Sequence, residues 1–449
     1  MNVLLLSANT LTEPYPVYPL GLDYVAAALR PGHRVRIADM NILGDGESLI
    51  REVLREPPEV IGISLRNADN TDAADPKSFL REYREVIALI RRHSSALIVL
   101  GGSGFTIFPE QFMEELDADY GIVGEGERMA LLLDAIEHGG DAATIPGVVG
   151  RRTRAWKAGP WERPFVRDFN SRSEHLGFYL KKGGMLNIQT QRGCHFKCIY
   201  CTYPHVEGRS LRLLPPAEVA RTALDLQRAG ARYLFITDSA FNADIDHSMA
   251  VARAFKEAGL KIPWGAFFAP VGLPADYFRC MAEAGLTHVE FGTESLADPV
   301  LAAYRKPFRK ADIFEAHRAA VAAGLFVAHY FLLGGPGESS GTIAETLADV
   351  DKLKRTVLFF FCGMRIYPNT ALYDLAGREG LIGSHGDILH PVFYRNKALE
   401  AIDIIGMVQL AARQRPNWVV GSGGGDTARV IARLYERGYT GPLWEHLIR

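Results

Sequence analysis

Three cysteines, Cys194, Cys198 and Cys201, fall within one short stretch, Arg192-Gly-Cys-His-Phe-Lys-Cys-Ile-Tyr-Cys-Thr202. The pattern is Cys-x3-Cys-x2-Cys, placed just after the apolar run Met185-Leu-Asn-Ile188. It gathers three thiolates on one tight loop with no fourth cysteine nearby. A cubane iron–sulfur cluster usually takes four thiolates. Three would leave one iron open to a ligand that is not protein. The competing chemistry is zinc, which prefers four ligands, commonly in paired Cys-x2-Cys units. Its fourth ligand would have to be His195 or His205, because Cys280 and Cys362 are remote, in an apparent helix and an apparent strand.

Other polar residues recur at the ends of apolar runs. Asp238 and Asn242 stand in Phe235-Ile-Thr-Asp-Ser-Ala-Phe-Asn242, and Glu294 in Gly292-Thr-Glu-Ser295. Gly334 and Gly335 open Gly334-Gly-Pro-Gly-Glu338, and Arg365 opens Arg365-Ile-Tyr-Pro-Asn-Thr370. Plainer roles exist for each. Asp238 and Asn242 could be an N-cap pair, and the glycines a turn. Lys306 follows Glu294 and is weighed against an ordinary solvated lysine. Gly421-Ser-Gly-Gly-Gly425 mimics a phosphate loop, but it sits too near residue 449 for a complete βαβ nucleotide unit, and a strand–helix turn is the better reading. Phe393, Tyr394, Trp418 and Trp444 either wall a substrate cavity or form a core cluster.

The elements that position these residues alternate strand and helix. Residues 1–140 carry strands at Val3–Leu6, Arg34–Ala38, Val60–Ser64, Leu97–Leu100 and Tyr120–Val123, with helical runs between. Strict alternation means a parallel sheet covered on both faces. Such a doubly wound, flavodoxin-like domain binds ligands beyond its carboxyl strand ends. Residues 141–182 lose the rhythm and read as a linker with a short hairpin. Alternation resumes over residues 183–372, with strands at Leu186–Thr190, Tyr233–Thr237, Trp264–Phe268, His288–Phe291, Phe326–Leu333 and Leu358–Ile366. Six strands in β/α order make a partial (β/α)6 barrel, short of the eight of a closed one. Its active mouth lies at the carboxyl strand ends, where the polar residues above converge. Residues 373–449 are a small mixed C-terminal region.

Composition narrows the function classes. At 449 residues the chain is long enough for about three domains. Apolar content of 48% and charged content of 23% are those of a globular protein. A net charge of −2 and the lack of a Lys/Arg block argue against nucleic acid. The start, Asn2-Val-Leu-Leu-Leu6, has no basic segment before it and reads as a strand and not a signal peptide. No apolar stretch reaches the ~20 residues of a membrane span. Five cysteines, three in one loop, are no disulfide framework, so a reducing cytoplasm is expected.

The cysteine loop resembles the signature of the radical S-adenosylmethionine (SAM) superfamily. The resemblance implies a [4Fe–4S] cluster on Cys194, Cys198 and Cys201, with the open iron chelated by the amino and carboxylate groups of SAM. It implies that Tyr200, the aromatic residue before the third cysteine, lies near the adenine. Glu294 is carried over to the SAM ribose or amino group, and Gly334 and Gly335 to the adenine. Asp238, Asn242 and Arg365 join the SAM set, and Lys306 is the candidate for its carboxylate. An electron from the cluster would cleave SAM to a 5′-deoxyadenosyl radical, with the protein orienting the cofactors and excluding water.

An α/β domain ahead of such a barrel resembles the cobalamin-binding (B12-binding) subfamily, and this resemblance covers nearly the whole sequence. It places cobalamin on Leu20 of Tyr18-Pro-Leu-Gly-Leu22, on Gly101, Gly102, Ser103 and Gly104, and on Gly124 and Glu125. Leu65, Arg66 and Asn67 would lie beneath the corrin. The Asp-x-His-x-x-Gly motif of many cobalamin proteins is missing from residues 1–140, where the histidines are His33, His93 and His138. That implies no histidine on cobalt. The implied activity is methylation of an unactivated carbon by the radical and methylcobalamin, on a small-molecule or lipid-like substrate. Ring formation, ring contraction or oxidation with the same cofactors is the alternative, and a non-catalytic cobalamin or redox sensor is a second. An external one-electron donor of flavodoxin or ferredoxin type is the implied partner.

Overall fold

The computed structural model describes the protein except residues 13–14, 152–157, 162, 171–174, 384–387, 422–423 and 449. In the N-terminal domain the apolar runs become strands buried on both faces, as in Val3–Leu6. Strands β1 (Asn2–Ser7), β2 (Arg34–Asp39), β3 (Val60–Ser64), β4 (Leu97–Gly101) and β5 (Tyr120–Ile122) are parallel, in the order β2-β1-β3-β4-β5. The strand order reverses between β1 and β3, which opens a ligand crevice at their carboxyl ends. Strand β6 (Val148–Gly150) pairs antiparallel with β5, so the sheet continues past residue 140 into the stretch read as a linker. The covering helices are amphipathic. Helix Leu80–His93 buries Leu80, Tyr83, Ile87 and Ile90 along one face and ends on Arg91, Arg92 and His93, which suit its negative pole.

The second sheet holds β7 (Met185–Ile188), β8 (Tyr233–Ile236), β9 (Trp264–Phe268), β10 (Leu286–Glu294), β11 (Phe326–Leu333) and β12 (Thr356–Cys362), parallel and in sequence order. A seventh strand, β13 (Trp418–Val420), adds to β12 from the C-terminal region. It exceeds the six strands expected because three residues are too few to show a period. The sheet does not close: β7 and β13 are its edges. Alternate residues face the surrounding helices, where Val289, Phe291 and Val327 join Ala316 and Ala320 in the core. The intervening residues face the lumen. Helix Ile245–Glu257 starts at Asp244, whose carboxylate accepts from the His247 N–H at 2.8 Å. Asp244, and not the Asp238–Asn242 pair, is therefore the cap there.

Of the C-terminal aromatics, Trp418 stacks on Phe360 outside the lumen, and Phe393 and Tyr394 pair with Met364 and Arg365. Trp444 is the one that reaches the lumen, packing with Ala328, Val357 and Val419. Ser422 and Gly423 of the glycine-rich run lie outside the described residues. Among the described residues no helix is long and apolar enough to cross a membrane.

Candidate active site

The cysteine loop leaves β7 through a turn that Asp238 holds. Asp238, just past β8, accepts from Thr190 N at 2.9 Å, Thr190 Oγ1 at 2.5 Å and Gln191 N at 3.4 Å. Burial pushes its carboxyl up to about 7 against those hydrogen bonds. Gln191–Arg192 then pair antiparallel with Arg212–Leu213. Gly193 has φ +94°, and a Cβ there would collide with the Ser210 carbonyl oxygen. Its N–H donates to Glu207 Oε2 at 3.1 Å, and the Cys194 N–H donates to Gly208 O at 3.1 Å. The start of the loop is thus fastened by backbone and side-chain hydrogen bonds.

Cys194 is buried, and Cys198 and Cys201 are half-buried. Burial raises the Cys198 thiol, and Glu294 and Cys194 add to it. Burial pushes Cys201 up to about 12, with the charges of Cys198 and Cys194 adding. Three cysteines on one loop, two of them with thiols held protonated by burial, are a donor set suited to a cationic iron centre, which stabilises thiolates. Among the described residues no three His, Cys, Asp or Glu side chains converge tightly enough to hold a single metal ion.

Beside the loop stand Glu294, Tyr200 and Lys306. The β10 register shifts between Gly292 and Glu294, and Glu294 itself has φ +65°, a strained value for a residue with a side chain. The bulge turns its carboxylate back into the lumen mouth. Tyr200 Oη donates to Glu294 Oε1 at 2.6 Å, and Lys306 Nζ reaches the same oxygen at 3.1 Å and Tyr200 Oη at 3.2 Å. The Lys306 side chain is 8% exposed, so it is not a solvated surface lysine. Burial works to lower its pKa, but the charges of Glu294 and Cys198 outweigh it and hold the ammonium above its ordinary value. Behind the trio the Gly335 N–H donates to Tyr304 Oη at 3.1 Å, and Gly334 N–H donates to Glu338. A Cβ at Gly335 would collide with the Tyr304 hydroxyl.

Three residues expected at SAM are engaged elsewhere. Asp238 spends both oxygens on Thr190 and Gln191. Asn242 trades two hydrogen bonds with the Ala269 backbone, at 2.8 and 2.9 Å. Arg365 pairs with Asp69 at 2.8 Å and donates to the Ile366 and Ile388 carbonyls. All three follow barrel strands, and their side chains fasten backbone and domains together. Asp238 and Asn242 position the loops, and Arg365 joins the domains.

A cavity of about 610 Å³ lies where the domains meet. Leu20, Arg66, Asn67, Gly101, Gly102, Ser103, Gly104, Gly124 and Glu125 line it from the α/β domain. Leu65 does not; it is wholly buried, with its N–H on Gly101 O and its carbonyl on Gly104 N. Loop alternation turns that side chain into the core. Asn67 Oδ1 is buried with no hydrogen-bond partner. Burial depresses the Arg66 guanidinium, and among the described residues no carboxylate pairs with it. An unmet acceptor and a lone cation on the cavity wall fit a large ligand rich in amide groups. Glu125 lines the cavity with its carboxylate turned away, onto Arg192, Arg212 and the Trp161 N–H.

The barrel side of the cavity contributes residues the sequence did not single out, among them Gln189, Arg192, Tyr203, Phe235, Thr237 and Phe267. The signal for Phe235 and Phe267 was present: each alternates with the outward-facing residues of its strand.

Glycine-rich strand ends of one α/β domain thus face the carboxyl strand ends of a partial barrel across one cavity. Residues 188–350 match the radical SAM superfamily and residues 7–133 the B12 binding domain. The protein belongs to the radical SAM superfamily and carries a B12-binding domain ahead of its barrel. It is 25% identical over 431 residues to tryptophan 2-C-methyltransferase of Streptomyces laurentii, covering 80% of this chain and 72% of that one. The fold is shared with the radical SAM methyltransferase TsrM of Kitasatospora setae, solved with tryptophan and a SAM analogue, at a TM-score of 0.88 and 23% identity over 99% of this chain and 97% of that one. The cobalamin-dependent SAM radical enzyme OxsB gives a TM-score of 0.74 at 18% identity, over 88% of this chain and 64% of that one.

Proposed function

We propose that this protein methylates an unactivated carbon of a small-molecule or lipid-like substrate. The observation that carries this reading is a cavity lined both by the glycine strand ends of the α/β domain and by strand-end residues of the barrel. A substrate there would lie between the α/β domain and the barrel strand ends at Gln189, Arg192 and Thr237, next to the cysteine loop. When bound, the cluster supplies the electron that cleaves SAM, and cobalamin supplies the methyl group. Lys306 would hold the SAM carboxylate and Glu294 its ammonium, with Tyr200 oriented by both. Arg66, Asn67 and the Gly101–Gly104 backbone would hold the corrin. Methyl transfer to a carbon radical needs no general base, in keeping with a site whose titratable groups already pair with one another. The electron would come from a flavodoxin or ferredoxin in a reducing cytoplasm.

A relative whose name states methylation of carbon favours this outcome over ring chemistry with the same cofactors. Anaerobic reconstitution, with iron, sulfide and cobalt counts and EPR, tests the cofactors. Turnover with substrate should release both deoxyadenosine and S-adenosylhomocysteine and add one CH2 to the product mass. Deoxyadenosine without S-adenosylhomocysteine excludes methylation, a loss of hydrogens marks cyclisation, and no SAM cleavage under strong reductant marks a sensor.

A further inference from the structure

Two histidines lie among apolar core residues, on the side of the barrel sheet turned away from the lumen. His329 of β11 is wholly buried and stacks on Phe291 at 5.3 Å. His317, on helix Lys310–Ala322, is 4% exposed. His329 Nε2 is 3.0 Å from His317 Nδ1, and His329 Nδ1 is 2.6 Å from Thr293 Oγ1. Burial lowers the pKa of both imidazoles and keeps them neutral. Each then carries one N–H and one bare nitrogen, so the two hydrogen bonds run in one direction through the relay. Burying such groups costs free energy that an apolar core would not, so packing alone does not account for them.

The relay ends on the bulge that carries Glu294. Gly292 pairs with Tyr330 and Glu294 with Phe331, the next residue of β11, which leaves Thr293 as the extra residue without a partner. A bulge beside an active site re-aims a neighbouring side chain. Here that side chain is Glu294, at φ +65°. Past it, Ser295 Oγ lies 3.2 Å from Thr346 Oγ1, which also accepts from the Leu296 N–H at 3.2 Å. Thr293, Ser295 and Thr346 are wholly buried. Hydroxyls fixed in the core thus flank Glu294 on both sides, while its carboxylate meets Tyr200 and Lys306. Gly292 leaves that carboxylate room, since a Cβ there would come within 3.4 Å of Oε1.

We infer that Thr293 and His329 are positioning residues: with His317 they fix the strained backbone at Glu294 and so aim its carboxylate at Tyr200, Lys306 and SAM. Left-handed backbone at a residue with a side chain persists only where its surroundings over-determine it. The Thr346 anchor holds the residues after Glu294, and only the relay holds the one before it. This inference rests on the assignment of Glu294 to SAM proposed above.

The test compares variants of the full-length protein, anaerobically reconstituted with the cluster oxidised. Thr293→Val keeps the shape of the side chain and removes its hydroxyl. His329→Phe keeps a ring against Phe291 and removes both nitrogens. Each should raise the Kd for SAM in equilibrium dialysis by about tenfold, with iron content unchanged. Thr293→Ser restores the hydroxyl and should bind SAM within about threefold of the wild type. Val327→Ala, on the same side of β11, should lower the unfolding midpoint and leave SAM affinity unchanged. A crystal structure of Thr293→Val should show the Glu294 carboxylate away from Tyr200 Oη; if that variant does not fold, His329→Phe carries the same comparison. Glu294 still on Tyr200, Thr293→Ser binding as weakly as Thr293→Val, or Val327→Ala weakening SAM as much would overturn the inference. A displaced Glu294 with unchanged SAM affinity keeps the relay and removes only the assignment of Glu294 to SAM.

Discussion

At the scale of single residues, the most consequential side chain is Lys306. It is buried, charged and shared between Glu294 and Tyr200. A charge-assisted hydrogen bond contributes about 1.5–3 kcal/mol, so Lys306→Met should raise the Kd for SAM by about ten- to a hundredfold, read by anaerobic equilibrium dialysis with the cluster oxidised and no reductant present. Unchanged SAM affinity would place the carboxylate elsewhere. Asp238 gives a pH prediction. Its folded pKa of about 7 stands above the ordinary 3.8, so the folded state prefers the protonated carboxyl. The stability it contributes is whole below the unfolded pKa and is lost as pH rises through about 7. Asp238→Asn keeps an acceptor for Thr190 and should flatten the fall in denaturation midpoint between about pH 4 and pH 8. A variant that follows the wild-type pH curve refutes the assignment. The cysteines were legible because three equal residues on one loop need no tertiary information. Lys306 was legible only as a candidate weighed against a solvated lysine, since it is the turn after helix Asp298–Ala303 that brings it back onto Glu294.

At the scale of elements, the strand-end turns decide what the loops can do. Gly193 is the sharpest case, with φ +94° and the Ser210 carbonyl where a Cβ would stand. Left-handed backbone costs a residue with a side chain about 1–2 kcal/mol, and the collision adds to it. Gly193→Ala should therefore displace Cys194 from Gly208 and lower the iron and sulfide retained after reconstitution to less than about half of the wild type, while cobalamin binding persists. Full retention of iron would show that the loop has a second conformation. Most strands could be located from their apolar runs, because a parallel strand buried on both faces carries an unbroken signal. Strand β13 could not: Trp418-Val-Val420 is short, and its partner Leu358-Phe-Phe360 lies far back in the sequence. The pairing of Arg365 with Asp69 was not legible, because position along a strand does not say which domain a long side chain meets.

Across the whole molecule, buried charges tie one cofactor site to the other. Arg192 stands two residues before Cys194 and lies between the rings of Tyr24, at 4.5 Å, and Phe165, at 4.2 Å. It pairs with Glu125 at 2.5 Å and Glu127 at 2.7 Å, on the loop that begins with the cavity-lining Gly124. Arg212 meets Glu125 from the other side at 2.9 Å. Far from this clamp, Arg365 and Asp69 form a second buried pair between the domains at 2.8 Å. Removing one partner of a buried pair strands the other and costs about 3–5 kcal/mol. Arg192→Met and Arg365→Met should both lower the unfolding midpoint for that reason. Their cofactor effects should differ. Of the two, Arg192 alone touches both the cysteine loop and the α/β loop, so Arg192→Met should reduce iron retention and cobalamin affinity together. Arg365→Met should spare the iron, and Arg365→Met with Asp69→Leu should recover much of the midpoint, since no buried charge is then left alone. Equal loss of iron in both single variants would mean that the domains communicate through general stability and not through Arg192.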